Sequence, residues 1–399
     1  MSEPQSQVRR GGPYFLILAA SLTAIIPMTL DFYLPSFPLI AEDFATDVGH
    51  VQFTMSAALL GFGIGQLLWG PIVDRFGRRN PILIGMSIFV IATIACVFAP
   101  TLGWLVAFRV IETVGGCAAV VASRAMARDI YSGQALARAL SIIFLIFGLA
   151  PVLSPAIGGV LLNWMPWQGL FVILACFGVA TMIGTLMFGE TLPKDRRSRN
   201  SLSQVFASFG TVIRNPFGAR VGVLMFLAGA ALFSWVSGAP RALLEAGGLS
   251  LTMFTVVFGI VSFSIVVGSQ LNVWLLKRID VHVLLPRFVV VMATAGVVGI
   301  LVASLPVPFW VVIVAEMLTI CWVVTIISNS MAIGLGPFGA LAGIAAGLFG
   351  TTQALGGALA AAALTALPVN GAVALALGMA VPMVLAIPFA FSLRKVSAA

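Results

Sequence analysis

Charged residues are what this sequence has least of. Asp, Glu, Lys and Arg together make up only 9% of its 399 residues, whereas about 25% is usual in soluble domains. Apolar residues make up 60% of the chain, and its mean hydropathy is +1.12. So few charges cannot cover a water-facing surface, which excludes a soluble globular protein. The composition instead predicts an all-α integral membrane protein.

Lysine, histidine and cysteine are also scarce, and each scarcity excludes a class of site. The three lysines are Lys194, Lys277 and Lys395, and none follows the Gly-x-x-x-x-Gly pattern of a phosphate-binding loop. The four cysteines stand singly and the two histidines lie far apart, which argues against a metal centre. Neither an HExxH nor a GxSxG motif occurs. We therefore expect no enzyme activity, no cofactor and no bound metal.

Twelve apolar runs are each long enough to cross a bilayer as a helix, which takes about 20 residues. The longest polar break begins at Glu190, and it predicts three parts: a six-helix bundle at 1–189, a basic linker at 190–218 and a second six-helix bundle at 219–399. Repeated halves are typical of secondary transporters. The predicted spans are 14–37, 51–70, 81–99, 102–124, 139–162, 168–189, 219–240, 251–275, 283–304, 307–330, 338–366 and 370–392.

The positions of the basic residues predict the orientation of these spans, because loops rich in Lys and Arg stay in the cytoplasm. With the N-terminus inside, nineteen of the 21 fall on the cytoplasmic side; the exceptions are Arg109, within a span, and Arg241, outside. Both termini are therefore expected in the cytoplasm. The net charge of +8 is then a topology signal and does not indicate nucleic-acid binding. The first apolar run has no cleavage-site pattern and is expected to remain as the first helix of a multi-pass inner-membrane protein.

The segment after the second span carries a long motif, GPIVDRFGRR. It closely resembles the major facilitator signature Gly-x-Leu-x-Asp-Arg-x-Gly-Arg-Arg/Lys, with Ile72 in the leucine position. The resemblance implies a major facilitator fold and a gating loop that latches the two halves on the cytoplasmic side. The gating residues that it implies are Gly70, Asp74, Arg75, Gly77, Arg78 and Arg79.

The fifth span carries a second motif, GLAPVLSPAIGG. It looks like the antiporter motif of drug exporters, whose prolines bend the helix and whose glycines admit a close neighbour. A helix that is merely kinked remains the alternative. The motif residues are Gly148, Pro151, Pro155, Gly158 and Gly159.

The end of the first span reads DFYLPSFP from Asp31 to Pro38. It resembles an element of the Bcr/CflA subgroup of drug:proton antiporters, as do ARDIY at 127–131 and ETLP at 190–193. The resemblance covers about residues 20–365 and implies export of phenicol- or bicyclomycin-like drugs in exchange for protons. A metabolite exporter or a proton symporter on the same fold remains the alternative. We expect a monomer whose partners are a small-molecule drug, a proton and the lipid bilayer, with no nucleic acid.

Four ionisable residues interrupt the predicted spans, and such residues are functional candidates. Asp31 and Arg109 lie at similar depths, and Glu112 is on the same helix face as Arg109. We hypothesise that Asp31 and Glu112 share control of Arg109 and that at least one of them carries the coupling proton. The alternatives are a fixed ion pair and an Arg109 side chain that reaches the headgroups. Glu316, in the second half, is a possible second charge site: it could bind a cationic substrate, carry a proton, or form a hydrogen bond while protonated.

The substrate cavity of this fold lies between the halves near the midplane. Aromatic walls with few fixed polar groups suit uncharged or lipophilic drugs. The candidate wall residues are Tyr33, Phe53, Gln66, Phe144, Phe147, Trp235, Phe258, Trp322, Asn329 and Gln353.

Overall fold

The computed structural model describes residues 12–131, 135, 136, 139, 153–197 and 202–394. This part of the chain is helical with short connections. Its first half contains α1 (Pro13–Asp31), α2 (Phe37–Asp43), α3 (Val48–Phe76), α4 (Arg79–Val97), α5 (Leu102–Ile130), α6 (153–161) and α7 (Trp167–Phe188). Its second half contains α8 (Leu202–Arg214), α9 (Pro216–Pro240), α10 (Leu251–Leu275), α11 (Val281–Ser304), α12 (Phe309–Ile320), α13 (Val323–Leu335), α14 (Ala342–Ala366) and α15 (Gly371–Arg394).

Eleven helical stretches of the described residues are long and apolar enough to cross a membrane. They correspond to every predicted span except the fifth. That span, 139–162, lies largely outside the described residues, and its helix α6 is seen only from 153 to 161. The chain is therefore an all-helical membrane protein, and the predicted total of twelve spans stays a prediction.

Several predicted helix ends were wrong, because the apolar run fixes the membrane crossing and not the end of the helix. Helix α3 continues to Phe76, so most of the segment expected as a loop after Gly70 is helical. Helix α5 likewise runs to Ile130 rather than to 124. More charged residues therefore lie on the spanning helices than the four that were predicted; Asp74 and Arg128 are examples.

Two spans that were predicted as single helices are broken. In the first span, α1 ends at Asp31 and a 3-10 turn, Leu34–Ser36, leads into α2. Pro35 and Pro38 stand at the starts of these two elements, where a missing N–H costs nothing. In the tenth span, α12 and α13 are separated at Cys321, whose carbonyl lies so close to Gly268 of α10 that a Cβ there would clash.

Small residues bring α5 close to its neighbours, and this fixes where the charged side chains of α5 lie. Gly61 of α3 lies against the Val110 carbonyl, and Gly115 of α5 lies against the Gly85 carbonyl of α4. Neither glycine could carry a Cβ without a shift of the backbone. Close helix approach of this kind is the usual use of glycine in membrane bundles.

The two halves meet along α3 and α14, where the Thr351 hydroxyl donates to the Gly63 carbonyl at 3.0 Å. We call the end of the bundle at which α3 begins, next to Asp47, the Asp47 end. The opposite end, at which α3 ends next to Arg78, is the Arg78 end. The two halves also meet at the Asp47 end. At the Asp47 end, Gly159 of α6 lies against Thr255 of α10. The predicted linker 190–218 contains a helix, α8, whose Phe209 and Val212 are buried.

Candidate transport and coupling site

Arg109 and Glu112 form an ion pair inside the first half. The distance from Arg109 Nη1 to Glu112 Oε2 is 2.5 Å, and neither side chain is exposed to solvent. Arg109 Nη2 also donates to the Thr29 carbonyl of α1 at 2.6 Å. Thr93 of α4 donates to the other Glu112 oxygen at 2.8 Å. Arg109 therefore does not reach the headgroups: it joins α1 to α5, and Glu112 joins α5 to α4.

Aromatic rings complete the surroundings of Arg109. Its guanidinium carbon lies 4.3 Å from the centre of the Tyr33 ring and 5.5 Å from that of Phe171, which are distances typical of cation–π contacts. The Tyr33 hydroxyl is 2.9 Å from the Thr54 hydroxyl of α3. A cavity of about 10 Å³ lies beside Arg109 and Tyr33, which is enough for one water molecule.

Asp31 is buried, with 3% of its surface exposed, but it does not pair with Arg109. Within the described part of the chain, no Lys, Arg or His nitrogen lies within 4.0 Å of its carboxylate. Arg109 contacts α1 at Thr29 instead. The residues of this segment that line the cavity beside Arg109 are Met28, Thr29, Phe32 and Tyr33. A similar depth along two helices therefore does not by itself bring Asp31 and Arg109 into contact.

The major facilitator motif builds a polar network at the Arg78 end. Arg78 donates to Asp74 at 2.7 Å and to both carboxylate oxygens of Asp129, on α5, at 2.9 and 3.1 Å. Burial alone lowers the pKa of Arg78, but the hydrogen bonds and charges of Asp129 and Asp74 outweigh burial and raise that pKa. Arg78 therefore stays charged, and the two carboxylates that bind its side chain both lie in the first half.

Glu190 is the other anchor of this network. Its carboxylate accepts from the backbone N–H groups of Arg78 and Arg79, at 2.8 and 3.3 Å. Gly77 has φ +91°, and a Cβ there would clash with the Glu190 carboxylate. Sequence reasoning did not assign roles to Asp129 and Glu190. Their signal was present in ARDIY and ETLP, which contain them.

The other residues of the gating motif are more exposed or have fewer close contacts than Arg78 and Gly77. The Asp74 side chain is 62% exposed, and Arg75 lies near the Phe76 ring, 5.7 Å from its centre. A Cβ at Gly70 would meet nothing within 4 Å. A latch between the halves, which the family resemblance implies, stays a prediction.

The antiporter motif is described only in part. Gly148 and Pro151 lie outside the described residues, as do the wall candidates Phe144 and Phe147. Pro155, Gly158 and Gly159 are buried on one face of α6. Gly158 lies against the Phe32 carbonyl, just beyond Asp31, so helix α6 packs tightly on the end of α1.

The remaining wall candidates that the structure describes make contacts of several kinds, and their role in a substrate cavity stays a prediction. Trp235 stacks on Phe258 with ring centres 5.4 Å apart, and Trp322 stacks on Phe288 at the same distance. The Asn329 amide exchanges hydrogen bonds with Asn272 at 3.0 and 3.2 Å, so it joins α13 to α10. Elsewhere, Phe53 is 38% exposed, Gln66 lies against Gly350, and the Gln353 carbonyl lies against Gly229.

Comparison with known proteins identifies the fold that carries these features. The family model described as Major Facilitator Superfamily matches residues 19–361. The chain belongs to the major facilitator superfamily. It therefore belongs to a family of transporters rather than enzymes.

Relatives with known names agree with the resemblance to the Bcr/CflA subgroup. The bicyclomycin resistance protein homolog of Haemophilus influenzae is 28% identical over 349 residues, covering 86% of this chain and 87% of that protein. Multidrug resistance protein D of Escherichia coli is 34% identical over 228 residues, covering 56% of each chain. An uncharacterized transporter of Bacillus subtilis, YdgK, is 33% identical over 256 residues, or 63% of each chain. The matches to these last two proteins thus span less than two thirds of their length.

Solved structures show the same major facilitator fold. The D-xylose–proton symporter has a TM-score of 0.74 at 13% identity, and the match covers 94% of this chain and 97% of that one. The human organic anion transporter MFSD10 has a TM-score of 0.66 at 16% identity, with coverage of 95% and 100%. At these identities the likeness concerns the fold and not the substrate.

Proposed function

We propose that this chain exports small, lipophilic drugs across the inner membrane in exchange for protons. In this proposal it has twelve spans, and both termini and the Arg78 end are cytoplasmic. The proposed cycle is alternating access, in which the two halves rock about a site between them. The names of the drug-resistance relatives support the substrate class, and the distribution of basic residues supports the orientation.

The observation that carries the proton coupling is the different surroundings of two buried carboxylates. Glu112 is held by Arg109 and Thr93 and is fully buried, so its charge is already compensated. Asp31 is also buried but has no cationic partner among the described residues. A buried carboxylate without a counter-ion is stable only when it is protonated. Of the two first-half carboxylates, Asp31 is therefore the one to which we assign the exchangeable proton.

In this mechanism Asp31 takes a proton from the periplasmic side and releases it to the cytoplasmic side. It occupies the last turn of α1, next to the broken segment that contacts α6. Loss of the proton creates a buried charge, which favours a conformation that hydrates the carboxylate. The Arg109–Glu112 pair stays ionised and positions α1 through the Thr29 carbonyl.

Drug-susceptibility measurements test the proposal. The gene is expressed in a host that lacks its own efflux pumps, and phenicols, bicyclomycin and dyes are tested with and without an uncoupler. We expect higher resistance to at least one lipophilic drug and loss of that resistance with the uncoupler. Unchanged susceptibility to every compound would contradict drug export, and resistance that survives the uncoupler would contradict proton coupling.

A further inference from the structure

Glu316 is a buried carboxylate that the mechanism above does not use. It lies on α12, and only 3% of its surface is exposed. Neither carboxylate oxygen has a hydrogen-bond partner among the residues that the structure describes. Buried polar groups nearly always have partners, and a buried charge without one is costly. The surroundings of Glu316 therefore have an unmet requirement for a donor or a positive charge.

A second unpaired polar group belongs to a residue that lines the same small gap as Glu316. Trp235 of α9 and Glu316 both line a cavity of about 10 Å³, and the Trp235 indole N–H also has no described partner. The rest of the lining is apolar and includes Phe309 and Leu375. A cavity of this size admits one water molecule, so a larger molecule can enter only if α9 and α12 separate.

Gln52, from the other half of the protein, reaches the edge of this region. Its Nε2 atom is 3.9 Å from the Cβ position of Gly238, one turn beyond Trp235 on α9. Leu375, which lines the gap, lies 3.1 Å from the same position. Both polar atoms of the buried Gln52 amide lack described partners. The unpaired groups thus lie where the two halves meet, which is where alternating access changes the exposure of a site.

Glu316 also occupies a position equivalent to that of Arg109. The fourth span of the first half begins with α5 at Leu102, and that of the second half begins with α12 at Phe309. Arg109 is the eighth residue of α5, and Glu316 is the eighth residue of α12. Each lies near an aromatic residue of the first span of its half, Tyr33 or Trp235. The two positions differ in charge compensation. Three residues after Arg109 stands its counter-ion Glu112, whereas three residues after Glu316 stands Thr319, whose hydroxyl donates to its own helix.

We propose that Glu316 and Trp235 form a binding site for a lipophilic organic monocation. Glu316 is protonated while the site is empty, because it is buried without a counter-ion. It releases its proton to water as the cation enters and then supplies the counter-ion, and the rings of Trp235 and Phe309 supply apolar and cation–π contacts. The site is formed when α9 and α12 separate as the halves move. This inference rests on the proposed drug export and extends its substrates to cations.

Equilibrium binding to the purified full-length protein in lipid nanodiscs tests this site without a proton gradient. Tetraphenylphosphonium is the cationic probe and chloramphenicol the neutral one, both at fixed pH. Glu316→Gln is expected to weaken tetraphenylphosphonium binding about tenfold or more, since hydrogen bonds and contacts to charged groups are the strong ones. Chloramphenicol binding is expected to change less than about twofold, well below the tenfold that corresponds to 1.4 kcal/mol.

Three further variants keep the test decisive. Glu316→Asp is expected to retain most of the cation affinity, and Trp235→Phe is expected to weaken cation binding severalfold while chloramphenicol still binds. Glu42→Gln, at an exposed carboxylate that does not line the gap, is the matched control. Equal loss of both probes in Glu316→Gln would overturn the cation assignment and indicate a general role in proton coupling or folding.

The wild-type protein separates the two proposals. If it binds chloramphenicol but not tetraphenylphosphonium, the cation site is wrong and drug export stands. If it binds neither probe and transports no drug, both proposals fail. Unchanged tetraphenylphosphonium affinity in Glu316→Gln would also overturn the site.

Discussion

The guanidinium of Arg109 lies 2.5 Å from the Glu112 carboxylate, and both side chains are completely buried. Breaking a buried pair by removing one partner costs far more than replacing both with apolar groups. The stability of single and double variants therefore shows whether the Arg109–Glu112 pair stabilises the bundle or acts only during transport.

We predict that Glu112→Gln lowers the free energy of unfolding by about 3 kcal/mol, because it leaves the Arg109 charge uncompensated. The double variant Arg109→Met/Glu112→Met should be more stable than the single one. Unfolding by detergent titration measures both. A single variant as stable as the wild type would show that Glu112 is not the counter-ion of Arg109.

A second prediction concerns the turn of the gating motif. Gly77→Ala should lower the free energy of unfolding by about 1–3 kcal/mol, since φ +91° with ψ −177° is open only to glycine, and its Cβ would meet the Glu190 carboxylate. Gly70→Ala is the matched control within the same motif: it has open space and lies inside α3. Equal stabilities of the two variants in the same titration would contradict this account of the turn.

The two carboxylates that bind Arg78 should contribute unequally. Asp129 is 13% exposed and accepts two hydrogen bonds from Arg78 and a third from the Thr191 hydroxyl, whereas Asp74 is 62% exposed and accepts one from Arg78. We expect Asp129→Asn to cost about 1–3 kcal/mol and Asp74→Asn less than about 1 kcal/mol. If Asp74→Asn proves the more damaging to stability, the described network is not the dominant one.

The Asn272–Asn329 pair should act in packing rather than in drug binding. Asn329→Ala and Asn272→Ala should each lower stability by about 0.6–2 kcal/mol, which is the range for hydrogen bonds between membrane helices. Their effects should be less than additive, because either change removes the same pair of bonds. Drug export per folded molecule should be unchanged in both variants. A loss of export in Asn329→Ala alone would indicate that Asn329 lines the substrate cavity and binds the drug.

The sequence was informative about the class of protein and about which charged residues are buried. Scarce charge and twelve apolar runs predict a membrane protein, and the GPIVDRFGRR motif indicates the family that the comparison then identified. Burial of Asp31, Arg109, Glu112 and Glu316 follows from the cost of charge in lipid, and the structure buries all four.

The sequence does not predict which side of a helix faces a given neighbour, or which residues far apart in the chain come into contact. The sequence predicts similar depths for Asp31 and Arg109, but Arg109 contacts α1 at the Thr29 carbonyl. Glu190 and Asp129 meet Arg78 across 112 and 51 residues of sequence. Spacing along a helix predicts local pairs such as Arg109 and Glu112, whereas pairs between helices depend on how the glycine contacts set the packing.

Transport by the purified protein in proteoliposomes tests the central claim, that Asp31 carries the coupling proton. Drug movement is measured in two modes: driven by a pH gradient, and as exchange of labelled for unlabelled drug without a gradient. We predict that Asp31→Asn abolishes gradient-driven transport but retains exchange, while Glu42→Gln, at an exposed carboxylate, retains both. Full gradient-driven transport by Asp31→Asn would contradict the account.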